Sequence, residues 1–333
     1  DFRPEYRRLS EIRAALPQAV CLALTATATA RVQNDIRASL GIPEETTFVA
    51  GFDRPNLHLE VTPRTDPVTQ VLAFVKERGD QSGIIYCNTR DQVDRLVADL
   101  GRNGVRAVPY HAGMKDTDRR DNQRLFQRDE APIVVATVAF GMGINKSNVR
   151  YIIHHSLPDC LETYYQQIGR AGRDGLRSDC VLLFSRADVG TIYHFIETGA
   201  AGERQGRMAR MQAMVRYAGA SVCRRHPLLS YFDDAPPDDP CGMCDNCLAD
   251  AEGRERVDVS EDARIFLDVL LQTRERFGLT HVIGVLRGSN AAKIQKWKHD
   301  ALPGHGSGRH RSEAEWQLLA DRFLELGLAE AEA

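Results

Sequence analysis

The chain has 333 residues, 43% of them hydrophobic, and a formal net charge of -3. That length allows two or three domains with real apolar cores. The charge excludes a globally basic, histone-like binder but leaves room for a local basic groove.

Five runs, apolar on nearly every residue, predict strands: "AVCLALTA" (19–26), "SGIIYCNT" (82–89), "APIVVAT" (131–137), "VRYIIHHS" (149–156) and "DCVLLF" (179–184). Runs of that kind suit parallel strands covered on both faces. Amphipathic stretches such as "RDQVDRLVADLGRNG" and "KDTDRRDNQRLFQRD" lie between them, so the rhythm predicts an α/β fold with a doubly wound parallel sheet. Ligands of such sheets bind where strands end at their carboxyl side. After about residue 190 the pattern changes. "RQGRMARMQAMVRYAGA" predicts a helix with Met208, Met211, Met214 and Val215 on one side and Arg204, Arg207 and Arg210 on another. A turn, "DDAPPDDPC", and a linker, "ADAEGRERVDV", set off a last all-helical or winged segment. No run reaches the ~18–20 apolar residues of a membrane span. "AVCLALTATATA" follows a mixed-charge rather than a short basic segment, which argues against a secretory leader.

Of eight cysteines, Cys21, Cys87, Cys160 and Cys180 sit in apolar runs and read as buried thiols. Cys223, Cys241, Cys244 and Cys247 are spaced C-x17-C-x2-C-x2-C. In a reducing setting such a cluster means metal more often than disulfide. Four thiolates suit tetrahedral zinc at about 2.3 Å per bond, with no open position and hence a structural role. An iron–sulfur cluster is the rival, but it wants a further cysteine shortly downstream, and none follows Cys247. Free thiols are the third option.

In "YYQQIGRAGRDG" (164–175), Arg170 and Arg173 stand three apart among glycines. Planar, forked guanidinium groups suit bidentate phosphate recognition. The Gly-Lys-Ser/Thr cradle that a nucleotide usually needs is absent from these residues.

"LTATAT" (24–29), "FDRPNL" (52–57), "GIIYCNTR" (83–90), "YHAGM" (110–114), "VVATVAFGMGINKSNVR" (134–150) and "YYQQIGRAGRDG" follow in order. Together with the four cysteines they resemble the motifs of the RecQ family of ATP-dependent DNA helicases. "FDRPNL" and the cysteine pattern narrow the resemblance to that family. It implies a remnant of a first RecA-like lobe (1–51), with "DFRPEY" resembling the end of an aromatic-rich loop. A second RecA-like lobe (52–194), a small helical zinc-binding module (195–250) and a winged helix with a truncated wing (256–333) follow. The phosphate-binding loop and the acidic Mg²⁺ box would lie upstream of residue 1. The resemblance casts Gln166, Arg170 and Arg173 as the catalytic set that reaches ATP held by the other lobe. It also casts Gly141, Gly143 and Asn145, with Arg170 and Arg173, as ATP-binding residues, the first three in a loop suited to couple nucleotide to DNA. Loop positions Asn88, Thr89, Arg90, His111 and Thr137 suit DNA-backbone contacts, although a packed or turn histidine is the plain alternative for His111.

In the last segment, Ser312 and Glu315 form a predicted capping box, and Trp316, Leu319, Phe323 and Leu326 recur at core spacing. The polar face of that helix carries Glu313, Glu315, Asp321 and Glu325, a poor surface for phosphate. The basic residues lie earlier, and Arg287, Lys293, Lys296 and Arg309 are the expected DNA-backbone contacts, with a solvated face as the plain alternative. The family further implies structural Zn²⁺, ATP with Mg²⁺, and DNA as partner. It also implies 3′ to 5′ unwinding, a monomer at the bacterial nucleoid in the cytoplasm, and a single-stranded DNA-binding protein as a possible partner. A non-catalytic DNA-binding or scaffold fragment and an RNA helicase of the same superfamily are the competing readings.

Overall fold

The computed structural model describes residues 8–25, 27–141, 145–198, 202, 204–253, 257–326 and 328–329. It divides into two compact units, Asp1–Ala249 and Asp250–Ala333.

In the first unit, α1 (Leu9–Ala15) and α2 (Ala30–Leu40) precede an alternation of strands and helices. These are β1 (Leu57–Pro63), α3 (Pro67–Arg78), β2 (Gly83–Tyr86), α4 (Arg90–Arg102), β3 (Ala107–Tyr110), α5 (Asp116–Gln127), β4 (Ile133–Ala136), β5 (Tyr151–His154), α6 (Leu161–Ile168) and β6 (Ser178–Phe184). The strands form one sheet in the order β1-β6-β5-β2-β4-β3, and every pairing is parallel. Successive strand residues point to opposite faces. Ile84, Val134, Ile152 and Leu182 therefore pack into one core, and Ile85, Val135, Ile153 and Val181 into the other. The loops that carry polar motifs are pinned by helix starts. Thr89 caps α4 in a reciprocal capping box with Gln92. Asp66 caps α3 ahead of Pro67.

Among the described residues, helices α7 (Arg186–Glu197), α8 (Arg204–Gly219) and α9 (Arg225–Tyr231) follow in this unit, and α10 (Asp245–Ala251) runs across its end. Met211 and Met214 of α8 are buried and Met208 and Val215 partly so, on the expected side.

The "AVCLALTA" run is a correction. Its described residues form no strand, and Val20, Leu22 and Leu24 are 98%, 78% and 85% exposed. An apolar run becomes a strand only beside another strand, and none of the six pairs with it. Conversely, β1 and β3 were not among the expected strands. They are the two edges of the sheet.

The second unit contains α11 (Ser260–Gln272), α12 (Leu279–Leu286), α13 (Ala292–Lys296) and α14 (Glu313–Glu325), with no strand among its described residues. Its core joins Phe266, Val269, Val282, Leu286, Ile294, Trp316 and Phe323. The capping box of Ser312 and Glu315 is present, and Leu319 packs partly against the core. Leu326 is the exception: it sits at the C-cap of α14, where the helical face ends, and is 49% exposed.

Candidate functional site

The arginine loop is built by contacts from "FDRPNL". Arg54 donates to the carbonyls of Ala171 (3.1 Å) and Gly172 (3.0 Å). Asn56 donates to Gly172 (2.9 Å) and Leu176 (3.0 Å). Gly172 adopts φ +55°, and an added Cβ would meet Asn56 Nδ2 at 2.4 Å, so only glycine lets this brace close. Arg170 donates to the carbonyl of Gly141 at 2.5 Å, and a Cβ on Gly141 would fall 2.0 Å from its guanidinium. Arg170 Nε is buried with no hydrogen-bond partner among the described residues. Burial, and then the charges of Arg170 and Arg54, hold Arg173 below its ordinary pKa. Three guanidinium groups are thus crowded around one loop. Nearby Tyr86 donates to the Phe140 carbonyl at 3.2 Å, and burial pushes its phenol up to about 12. Gln166 is exposed and donates to Thr27 Oγ1 at 2.9 Å, linking the arginine segment to "LTATAT".

The same motif reaches the cysteines. Arg225, 2% exposed, donates to Asp53 Oδ1 (2.8 Å) and to the carbonyls of Arg54 (2.9 Å) and Leu57 (3.0 Å). It also donates to Cys241 Sγ at 3.1 Å. Its neighbour Arg224 grips both carboxylate oxygens of Asp245 at 2.8 Å and closes the end of α8 through the Tyr217 carbonyl at 2.9 Å. Burial alone would raise the Asp245 pKa, but the bidentate Arg224 outweighs it and leaves the carboxyl below its usual value. The segment around Met243 also covers the edge of the sheet. Leu59 N–H donates to the Met243 carbonyl at 3.1 Å, and Val61 N–H to Asp245 Oδ2 at 3.0 Å. An exposed edge strand is thereby satisfied.

Cys223, Cys241, Cys244 and Cys247 bring their Sγ atoms within 4.8 Å of one another. The Cys241–Cys247 sulfur separation is 3.8 Å. That is the edge of a tetrahedron with bonds of about 2.3 Å, and far beyond an S–S bond. Backbone N–H groups of Arg224 and Cys247 point at Cys244 Sγ at 3.5 and 3.4 Å. Burial is the largest influence on the Cys241 thiol, which is pushed up to about 11, and four thiolates gathered in this volume call for a cation among them. The donor set, its geometry and its N–H supports fit Zn²⁺.

The expected DNA-contact loops are polar and near the surface, with one exception. Asn88, Thr89 and Arg90 are exposed, and Asn88 also donates to the Leu157 carbonyl at 3.0 Å. Thr137 is half-buried, its N–H donating to the Tyr110 carbonyl at 3.2 Å. His111 is buried: Nε2 lies 3.0 Å from Asp94 Oδ1, and Nδ1 accepts from Gly113 N–H at 3.2 Å. Both ring nitrogens are used within the lobe. These contacts are those of the packed-histidine alternative, and they shape the loop. Asn145 is exposed and Gly141 buried. Gly143, the side chains of Asp321 and Glu325, and "DFRPEY" lie outside the described residues.

In the second unit, Lys293, Lys296 and Arg309 are exposed. Arg287 is partly committed to Glu313 at 3.5 Å. The sequence reading missed Arg224 and Arg225, and Arg54 and Asn56 individually. The only sequence signal for the first pair was two arginines directly after Cys223.

Residues 65–175 match the Helicase conserved C-terminal domain, 186–248 the RecQ zinc-binding family and 253–333 the RQC domain. The chain belongs to the RecQ family. It is 39% identical to an ATP-dependent DNA helicase RecQ of Pasteurella multocida over 98% of this chain and 51% of that protein. Its likeness to the Haemophilus influenzae RecQ is 39% over 99% of this chain and 53% of that protein. For Bacillus subtilis RecQ the values are 38%, 98% and 56%. The chain spans about half the length of these relatives. As a RecQ-family chain it carries a RecA-like parallel lobe, and its four cysteines are a structural zinc site. Among the described residues no helix is long and apolar enough to cross a membrane.

Proposed function

We propose that this chain is the second motor lobe (52–194), zinc module (195–250) and winged-helix part (256–333) of an ATP-dependent DNA helicase that moves 3′ to 5′, with residues 1–51 belonging to the first lobe. The observation that carries this reading is the crowding of Arg54, Arg170 and Arg173, held by "FDRPNL" and by close approach to Gly141. Like charges gathered at cost, one with an orphaned buried Nε, are stabilised by an anion. ATP with Mg²⁺ supplies a γ-phosphoryl group that gains charge in transfer, and Arg170 and Arg173 are the groups of this chain that stabilise it. Such arginines are worth about 10³ to 10⁵ in rate in well-studied hydrolases. Gln166, tied to Thr27, links that loop to the "LTATAT" segment. Asn88, Thr89, Arg90 and Thr137 hold the DNA backbone, and Lys293, Lys296, Arg287 and Arg309 hold it in the second unit. On this reading the protein acts as a monomer at the bacterial nucleoid, beside a single-stranded DNA-binding protein.

The test is ATP turnover in the presence of DNA. The 333 residues contain no Gly-Lys-Ser/Thr loop, so they should not turn over ATP alone. Joined to the first lobe of the Pasteurella relative, they should gain DNA-stimulated turnover. In that protein Arg173→Ala should lower kcat by orders of magnitude while ATP still binds, because the contact strengthens in the transition state. Turnover that survives loss of both Arg170 and Arg173 would overturn the assignment.

A further inference from the structure

The chain has two tryptophans with opposite fates. Trp316 is fully buried and donates its indole N–H to the Gly308 carbonyl at 2.6 Å. Trp297 is 55% exposed. Single exposed apolar side chains are ordinary, but Trp297 is neither loose nor alone. It stands at the C-cap of α13, and the next residue, Lys298, takes a left-handed conformation at φ 57°. That reversal sends His299 inward and leaves the indole outside. The indole meets the Phe277 ring edge-on at 5.4 Å and 76°. Phe277 is in turn stacked on His281 at 4.3 Å, and His281 Nε2 lies 2.9 Å from His299 Nδ1. An aromatic base, anchored in buried side chains, thus holds one large ring against solvent. Lys296 and Lys298, both exposed, are the chain neighbours of Trp297, and Lys293 Nζ lies 6.0 Å from the Phe277 ring centre. None of these three lysines joins an ion pair among the described residues.

We propose that Trp297 is a stacking platform for one unpaired base of single-stranded DNA, with Lys296 and Lys298 on the neighbouring phosphates. This rests on the nucleic-acid reading above and adds a ligand subsite to it. The chemistry is specific in kind: every base has a π-face, so stacking tolerates any sequence, while the lysines demand a polyanion. An acidic peptide would satisfy the lysines but not the ring. Held edge-on by Phe277, the indole loses little freedom when a base covers it.

The experiment is a fluorescence and affinity titration of the full chain with oligo-dT at low salt. Trp297 fluorescence should be quenched, while buried Trp316 provides the constant background. Trp297→Ala should weaken binding about 5- to 150-fold, the range for one base–aromatic contact. Trp297→Phe, which keeps the edge contact with Phe277, should retain most of the affinity while removing the quench. An abasic oligonucleotide of equal length should bind wild type and Trp297→Ala alike. The platform is overturned if Trp297→Ala binds oligo-dT as tightly as wild type, or if the abasic strand is bound as tightly as oligo-dT with equal quenching. Failure of the chain to bind any strand at low salt would instead overturn the nucleic-acid reading itself.

Discussion

Two basic regions of this chain use positive charge in opposite ways. Arg224 and Arg225, beside the zinc site, are 4% and 2% exposed, and their donors reach carboxylates, carbonyls and sulfur. Lys293, Lys296 and Lys298 stand in water without an ion pair among the described residues. Guanidinium is weakly hydrated and its fork satisfies several acceptors at once, so it can be buried as a structural clamp. Ammonium is strongly hydrated and keeps its charge available for a mobile polyanion. The difference separates charge that builds the molecule from charge that meets a ligand.

The strongest way to break that contrast is to remove the metal on which the buried clamp is built. Structural zinc sites of this kind bind with about 10–16 kcal/mol, and that binding is folding free energy. Chelation, or Cys244→Ser, should therefore melt α9 and α10 and uncover the β1 edge. Zinc analysis should give about one ion per chain before chelation, and circular dichroism should fall with its loss. Unchanged spectra after complete removal of zinc would refute the structural assignment.

Removing one clamp should come next. Arg225→Gln leaves the Leu57 carbonyl and the Cys241 sulfur without their donor, and should cost about 1–3 kcal/mol in denaturant unfolding. Asp53→Asn should cost under about 1 kcal/mol, since the Asp53 side chain is 42% exposed and its pair is screened. Equal costs for the two would mean that the carboxylate, not the arginine, organises the brace.

Acid should act on the same unit through its buried histidines. Burial lowers His154 to about 4, and burial with the Arg64 charge lowers His155 to about 4. The unfolded chain takes up these protons near 6.5, so stability is whole above that pH. It is lost as pH falls toward 4, by up to about 3 kcal/mol per histidine. Thermal midpoints measured from pH 7 to 4.5 should decline, and more shallowly in His154→Gln.

The smallest effect on stability should come from the exposed lysines. Lys293→Glu with Lys296→Glu should move the unfolding free energy by less than about 0.5 kcal/mol. The same double variant should flatten the dependence of DNA affinity on salt by about one unit of log–log slope per lysine. A salt slope that does not change would remove these residues from the interface.

How much of this was legible in the sequence follows from where each residue lies. Strands β2, β4, β5 and β6 sit inside the sheet, so both of their faces are covered and their apolar runs are unbroken. The edge strands β1, "LHLEVTP", and β3, "AVPY", are not unbroken: charge, proline and half-buried positions dilute the signal. "AVCLALTA" shows the reverse failure, since apolar composition permits a strand but cannot supply its partner.

By itself the sequence determined what depends on local spacing: the cysteine ligand set, the motif order, the helix cap at Ser312, and the interior strands. Only the tertiary structure decided what depends on residues far apart in the chain. It set Arg225 against Asp53, Leu57 and Cys241, turned His111 inward onto Asp94, and left Trp297 outside while burying Trp316. A donor or a ring carries the same chemistry wherever it stands. Burial and the partners brought to it by chain closure decide whether that chemistry holds the fold together or faces a ligand.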